Sequence, residues 1–286
     1  MSDDVLPIGI TGATGRLGGR VARLLAAAGV RQRLLVRDPA RAPQLAGAEV
    51  VTADYADTPD VRTALGGLSA LLMVSASESP DRVAVHRAFA DAAAAAQVPH
   101  LVYVSFAGAA PDATFLLARD HWHTEQHLRS TGVPLTILRD NLYADFLPGL
   151  AGPDPDGPGD VIRGPAGDGR VAAVAQDDIA EAASAVLRRP RDHAGRTYEL
   201  TGPQAVSLAE VADLLTAVTG RPVRYRAETL EEAFASRAGF GAPDWMVAGW
   251  VSTYTAIAAG ELATVTDDVA RLTGHPATPV EQVLHH

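Results

Sequence analysis

The residues that most narrowly limit the chemistry lie near the start of the chain. Gly9-Ile10-Thr11-Gly12-Ala13-Thr14-Gly15-Arg16-Leu17-Gly18 follows a short apolar run and opens an amphipathic one. Glycine at 12 lets the backbone turn without Cβ strain, Gly15 lets a diphosphate approach a helix N-terminus, and Gly18 lets that helix pack closely on a sheet. Strand, spacing and helix agree. The segment is therefore expected to bind a dinucleotide through Gly9, Thr11, Gly12, Ala13, Thr14, Gly15, Arg16 and Leu17. A merely structural strand–helix turn is the alternative.

The next strand ends Leu34-Leu35-Val36-Arg37-Asp38-Pro39, with arginine where an acidic residue would select NAD. Arg37, with Arg16, could clamp a 2′-phosphate by charge-assisted hydrogen bonds, which favours NADP(H). Asp38 would repel that phosphate if it pointed inward; its other role is a turn residue before Pro39. Asp54 and Tyr55, after the third strand, are placed to meet the adenine edge, or Asp54 is an ordinary loop carboxylate.

The densest polar cluster is His121-Trp122-His123-Thr124-Glu125-Gln126-His127. His123 and His127 have a spacing that can chelate a metal, but no third ligand is evident, and a solvated helix face is the better reading. No metal is expected. Arg119 and His121 lie about 200° apart round a helix, so both cannot point into one cleft. His121 could donate a proton near neutral pH. In Arg139-Asp140-Asn141-Leu142-Tyr143, Asn141 could bond a carbonyl oxygen or carboxamide, and Tyr143 could stack on an aromatic substrate or donate its hydroxyl. Equally, Arg139 and Asp140 could anchor the loop while Tyr143 packs beneath a lobe. Phe146, Phe240, Trp245 and Trp250, with the Gly/Pro-rich Gly149–Gly159 segment, could form an apolar lid.

These residues need a sheet to bring them together. Short apolar runs at Pro7–Thr11, Arg33–Arg37, Glu49–Ala53, Ala70–Ser75, Leu101–Ser105, Leu135–Arg139 and Thr197–Thr201 alternate with helical patterns at Arg16–Ala28, Pro59–Leu65, Asp81–Gln97, Ala113–Ser130 and Asp177–Arg188. That rhythm predicts an α/β fold with a doubly wound parallel sheet. Gly149–Gly159 reads as a loop. After Thr201 the pattern is mainly helical (Leu208–Thr219, Thr229–Arg237, Trp245–Ala259 and Asp267–Leu272), with a capping box at Ser207 and a stop at Gly220. The expected division is a dinucleotide-binding domain of residues 1–148 plus 170–203 and a small C-terminal lobe of 149–169 plus 204–286.

Composition removes several chemistries. All 24 basic residues among 286 are arginine, and cysteine is absent. Schiff-base lysines, thiolate nucleophiles and disulfides are therefore excluded. The net charge of −10 argues against nucleic acid as a partner. The acidic N-terminus does not read as a signal peptide, and no apolar run is long enough to span a membrane. A cytoplasmic protein acting on a small molecule is expected, and a homodimer stays open.

The residues at 9–18, Val36-Arg37-Asp38-Pro39, Tyr103-Val104-Ser105, Ala118–Glu125, Leu138–Tyr143, Asp177-Asp178-Ile179-Ala180, Tyr198–Pro203 and Thr264–Asp268 resemble the atypical short-chain dehydrogenases of the NmrA-like family. The likeness is strongest to the bacterial NADPH-dependent quinone oxidoreductases of the second type, and it covers nearly the whole chain. It implies a Rossmann sheet with a small lobe closing over the nicotinamide, and a cleft lined by Ser75 and Ser105. It also implies a lysine where this chain has Arg119, which can bind and polarise but not titrate near neutrality. His121 matches a histidine of the subgroup. The tyrosine–lysine pair of ordinary short-chain dehydrogenases is missing, since four residues after Tyr103 stands Ala107.

The leading expectation is hydride transfer from NADPH to a small conjugated or aromatic acceptor: a quinone, enone, ketone or imine. A quinone needs no strong side-chain acid, which suits the missing pair. The alternatives are a non-catalytic NADP(H)-sensing regulator acting through a protein partner, and a non-redox biosynthetic enzyme on the same scaffold.

Overall fold

Runs rich in leucine, isoleucine and valine become strands here because helices cover them on both faces. A computed structural model describes residues 6–285. The first half alternates β1 (Ile8–Thr11), α1 (Arg16–Ala27), β2 (Gln32–Val36), β3 (Ala48–Thr52), α2 (Pro59–Leu65), β4 (Ala70–Val74), α3 (Arg82–Ala95), β5 (Leu101–Phe106), α4 (Leu116–Ser130) and β6 (Leu135–Asp140). Then come β7 (Ala151–Pro153), β8 (Asp160–Gly164), β9 (Arg170–Val171), α5 (Gln176–Arg188), β10 (Thr197–Leu200) and β11 (Val206–Ser207). The chain closes with α6 (Leu208–Thr219), β12 (Val223–Ala227), α7 (Leu230–Arg237), α8 (Asp244–Ala258), α9 (Asp268–Thr273) and α10 (Val280–Leu284).

The central sheet has the order β10-β6-β5-β4-β1-β2-β3, parallel throughout. The order reverses between β1 and β4, the crevice where open sheets of this kind bind ligands. Val21 and Leu25 of α1 pack with Ile179 and Val186 of α5 on one face. Leu65, Phe89 and Leu128 cover the other. All seven expected strands are present within a residue or two at each end. The two edge strands depart from the two-faced apolar pattern: β3 exposes Glu49, Val50 and Thr52, and β10 exposes Thr197.

Two helices are shorter than their patterns. α3 ends at Ala95, and Gln97 then takes a left-handed φ of 53°. α4 begins at Leu116 rather than Ala113.

The expected loop at Gly149–Gly159 is only partly one. A 3-10 turn runs Ala144–Leu150, then β7 pairs antiparallel with β8, leaving Asp154–Gly159 as the connection. Pro153 is tolerated because β7 is an edge strand, where a missing N–H costs no ladder bond. β12 pairs parallel with β8, so the second region carries a three-stranded sheet besides its helices. The capping box at Ser207 and the left-handed Gly220 (φ 68°) bound α6 as expected. No helix among the described residues is long and apolar enough to cross a membrane.

Candidate functional site

At the switch between β1 and β4, Gly12 takes a φ of +65° and its carbonyl accepts from Gly15 N–H at 2.8 Å. A Cβ on Gly18 would stand 2.4 Å from the Gly12 carbonyl oxygen, so only glycine lets α1 sit this close to the turn. Gly15 caps α1 without any side-chain acceptor, which leaves the helix N–H groups facing a cavity of about 560 Å³. Thr14, Gly15, Arg16 and Leu17 line it, with Arg37, Asp54, Tyr55 and Ser75. Arg41 and Glu78 also reach the wall. Arg16, Arg37 and Arg41 have no carboxylate partner among the described residues. Uncapped N–H groups and three guanidiniums without a direct ion pair, against the two carboxylates of Asp54 and Glu78, fit a dinucleotide carrying an extra phosphate.

Asp38 takes its turn role, its carboxylate accepting from Ala40 N–H at 3.0 Å. Gly9, Thr11 and Ala13 are buried and face the interior rather than the cavity. A Cβ on Gly9 would meet Leu68 at 2.6 Å. Thr11 Oγ1 donates to the Leu72 carbonyl (3.1 Å) and accepts from Val74 N–H (2.9 Å), tying β1 to β4. The Tyr55 hydroxyl donates to Thr11 Oγ1 at 2.6 Å, and its ring stacks on Phe89.

The far side of the cavity is set by α3. His86 Nε2 accepts from Ala76 N–H at 2.8 Å, and Arg82 Nε donates to the Ala76 carbonyl at 3.0 Å. Both backbone polar groups of Ala76, in the two peptides that flank it, are thus held from α3. Arg82 Nη2 lies 3.3 Å from His121 Nε2, and His121 Nδ1 lies 2.9 Å from the Tyr103 hydroxyl. A guanidinium can only donate, so Nε2 accepts and the His121 proton sits on Nδ1. Arg82 Nη1 is buried with no partner among the described residues.

This network overturns the acid role expected of His121. The imidazole is 6% exposed, and burial beside Arg82 holds its pKa well below the ordinary value. It stays neutral and faces the interior. Ser105 does not line the cleft either: it is fully buried and donates to Glu125 Oε1 at 2.7 Å. Asn141 is also committed, donating to the Leu262 carbonyl (3.0 Å) and accepting from Leu142 N–H (2.7 Å). It therefore fastens the C-terminal segment to the end of β6 instead of facing a substrate. Arg119 donates to the Ala113 carbonyl at 2.7 Å and lines neither the cofactor cavity nor the second cavity described below. His127 pairs with Asp91 at 2.7 Å, and no group of three metal-ligating side chains occurs among the described residues.

Tyr143 donates to Asp140 Oδ2 at 2.7 Å, and burial pushes the Asp140 carboxyl up to about 8. An unfolded aspartate titrates near 3.9. Between these values the folded chain holds a proton that the unfolded chain has lost, so stability declines as pH rises from about 4 to 8. Asp140→Asn is expected to flatten that decline by up to about 1.4 kcal/mol per pH unit. Urea titrations at pH 5, 6, 7 and 8 check this; equal slopes in both proteins would refute it.

A second cavity, of about 480 Å³, opens beyond the 3-10 turn. Leu142, Phe146, Phe240, Trp250, Tyr254 and Arg163 are among its walls, along with residues 149–153. Of the expected lid residues, Trp245 lies outside it. Phe146 of this cavity meets Arg16 of the first: its ring centroid is 5.4 Å from the Arg16 guanidinium, and 5.2 Å from the Tyr143 ring.

The sequence model of the NmrA-like family matches residues 6–247. The chain belongs to the NmrA-like family. Within reach of this NmrA-like chain are the quinone oxidoreductase 2 of Escherichia coli K12, 34% identical over 285 residues with 98% of each chain covered, and the NAD(P)H azoreductase of Xenophilus azovorans, 34% identical over 276 residues with 94% of this chain and 93% of that one covered. The crystal structure of the E. coli NADPH-dependent quinone oxidoreductase complexed with NADPH matches with a TM-score of 0.87 at 32% identity, covering 97% of this chain and 98% of that one. Triphenylmethane reductase of Citrobacter follows with a TM-score of 0.82 at 30% identity, over 97% and 98% of the two chains.

Sequence reasoning about this NmrA-like protein missed Arg41, Arg82 and Arg163, and gave Asp140 no more than a loop-anchoring role. Arg41 is in the short turn that Asp38 caps, a position that no motif marks. Arg82 and Asp140 are ionisable groups under the sheet edge, and a charged letter reads as exposed. Arg163 lies in β8, a strand that was not foreseen.

Proposed function

We propose that this protein is an NADPH-dependent oxidoreductase that reduces a small conjugated or aromatic acceptor such as a quinone. The observation that carries the reading is a pair of cavities, one rich in guanidiniums without ion pairs and the other apolar, that meet where Arg16 of the first lies over Phe146 of the second. Gly12, Gly15 and the α1 N-terminus would hold a diphosphate, while Arg37 and Arg41 would take the 2′-phosphate. When bound, the cofactor supplies a hydride. The chain contributes position: α3 fixes the backbone of Ala76, and the aromatic side chains around Phe146 offer the acceptor an apolar surface. Tyr143 Oη and Asp140 Oδ2 share a proton at the sheet edge, and quinone oxygens can also take protons from water. The division into residues 1–148 plus 170–203 and 149–169 plus 204–286, a cytoplasmic location and a homodimer belong to the same reading.

The test is cofactor oxidation, followed by absorbance, with a panel of quinones, enones and azo compounds. Turnover well above background is expected, and its absence with every acceptor, while NADPH still binds, would sink the proposal. Arg37→Ala should raise KM for NADPH between about tenfold and a hundredfold and leave that for NADH nearly unchanged. Equal losses for the two cofactors would remove Arg37 from the phosphate site.

A further inference from the structure

The second cavity is apolar on most of its surface, yet two arginines reach its wall. Arg237 is heavily engaged: Nη1 lies within hydrogen-bond reach of Glu228 Oε2 (3.0 Å), the Ala233 carbonyl (2.9 Å) and Ser236 Oγ (3.0 Å), and Nη2 donates to the Arg163 carbonyl (2.8 Å). It also lies 5.1 Å from the Tyr254 ring centroid. Arg163 is different. Its one ion-pair partner among the described residues is the same Glu228, at 4.0 Å, and that carboxylate is already bonded to Arg237. Two guanidiniums thus share one carboxylate, leaving an excess positive charge. No aspartate, glutamate or histidine lines the cavity to offset it. The Arg163 side chain is 31% exposed, so its N–H groups remain available to a ligand.

We propose that Arg163 selects an acceptor bearing one anionic substituent, a carboxylate or sulfonate, on an aromatic body seated against Phe146, Phe240 and Trp250. The proposal rests on the function given above and adds the class of substrate. Its physical basis is that a guanidinium bonds a charged, planar pair of oxygens more strongly than it bonds neutral acceptors. The aromatic surface supplies affinity through area, and the cation supplies discrimination.

Binding can be read without cofactor, because Trp250 is part of the wall. Quenching of its fluorescence by anthraquinone-2-sulfonate and by 2-methylanthraquinone gives an affinity ratio for anionic over neutral ligand. The wild-type protein should prefer the sulfonate. In Arg163→Met the ratio should fall between about tenfold and a hundredfold, and Arg163→Lys should restore much of it. Arg163→Gln serves as a second uncharged variant should the methionine variant not fold. A wild-type protein with no preference, or a ratio unmoved in the uncharged variants, overturns the proposal. So does quenching undiminished in Trp250→Phe, since Trp122 and Trp245, which lie outside this cavity's wall, would then account for all of it. Failure to oxidise NADPH with any quinone would defeat the proposed reaction and leave these ratios standing. Quinone turnover with an unmoved ratio would defeat only the role of Arg163.

Discussion

Gly18→Val should abolish cofactor binding while leaving the central sheet assembled. A Cβ at this position would come within 2.4 Å of the Gly12 carbonyl oxygen, 2.6 Å of its carbonyl carbon and 2.8 Å of the Thr11 oxygen. All three are backbone atoms, so no rotamer relieves the overlap and α1 must lift away from the turn. Lifting it moves the helix N–H groups off the diphosphate position and opens the close fit on which the anion site depends. The expected rise in Kd for NADPH is at least about a hundredfold, equivalent to about 2.7 kcal/mol. Calorimetric titration alongside circular dichroism checks both halves. Gly239→Ala is the control, since a Cβ there meets nothing within 4 Å. A valine variant that binds like wild type would show that the turn does not hold the cofactor.

Glu125→Ala should cost about 3–5 kcal/mol, the largest stability loss expected of any single change in the site region. Glu125 is fully buried and accepts from Arg139 Nε and Nη2 at 2.8 and 2.7 Å and from Ser105 Oγ at 2.7 Å, with Arg129 at 3.1 Å. Removing the carboxylate leaves a half-buried guanidinium and a buried hydroxyl without their acceptor, and it opens a cavity between α4 and the sheet. For a chain of this length the melting temperature should drop by roughly 10 °C. Glu125→Gln, which keeps the volume and one acceptor oxygen, should fall between. Unchanged melting in the alanine variant would mean that the pairs contribute nothing net.

The glycine turn was legible because its message is carried by backbone geometry, and spacing alone encodes that. The helix of His121 shows the opposite case. About 200° of rotation separates Arg119 from His121, but rotation does not say which of them faces the cleft. The answer lay in a different pattern: Ala118, His121, Glu125 and Leu128 recur three or four residues apart, and all four are buried. Polar letters on that stripe made an interior face look like a solvated one. β12 had a similar unused signal, the alternation Val223-Arg224-Tyr225-Arg226 typical of a half-exposed strand. Asp140 had none, since a buried carboxyl is written with the same letter as a surface one. The adjoining cavities were unreadable for another reason: their walls come from segments far apart in sequence, and only the folded chain brings Arg16 over Phe146.

The detour of the chain between β6 and β10 also governs how the protein can be made. Arg139 faces Glu199 across the two strands although sixty positions separate them. While a ribosome delivers the intervening residues, β6 must wait as a raw sheet edge, offering its free amide and carbonyl groups to any passing strand. Arg139, already paired with Glu125 from the preceding helix, places a charge on that waiting edge. The residue that later ties the sheet together would thus, during synthesis, keep neighbouring nascent chains from joining it.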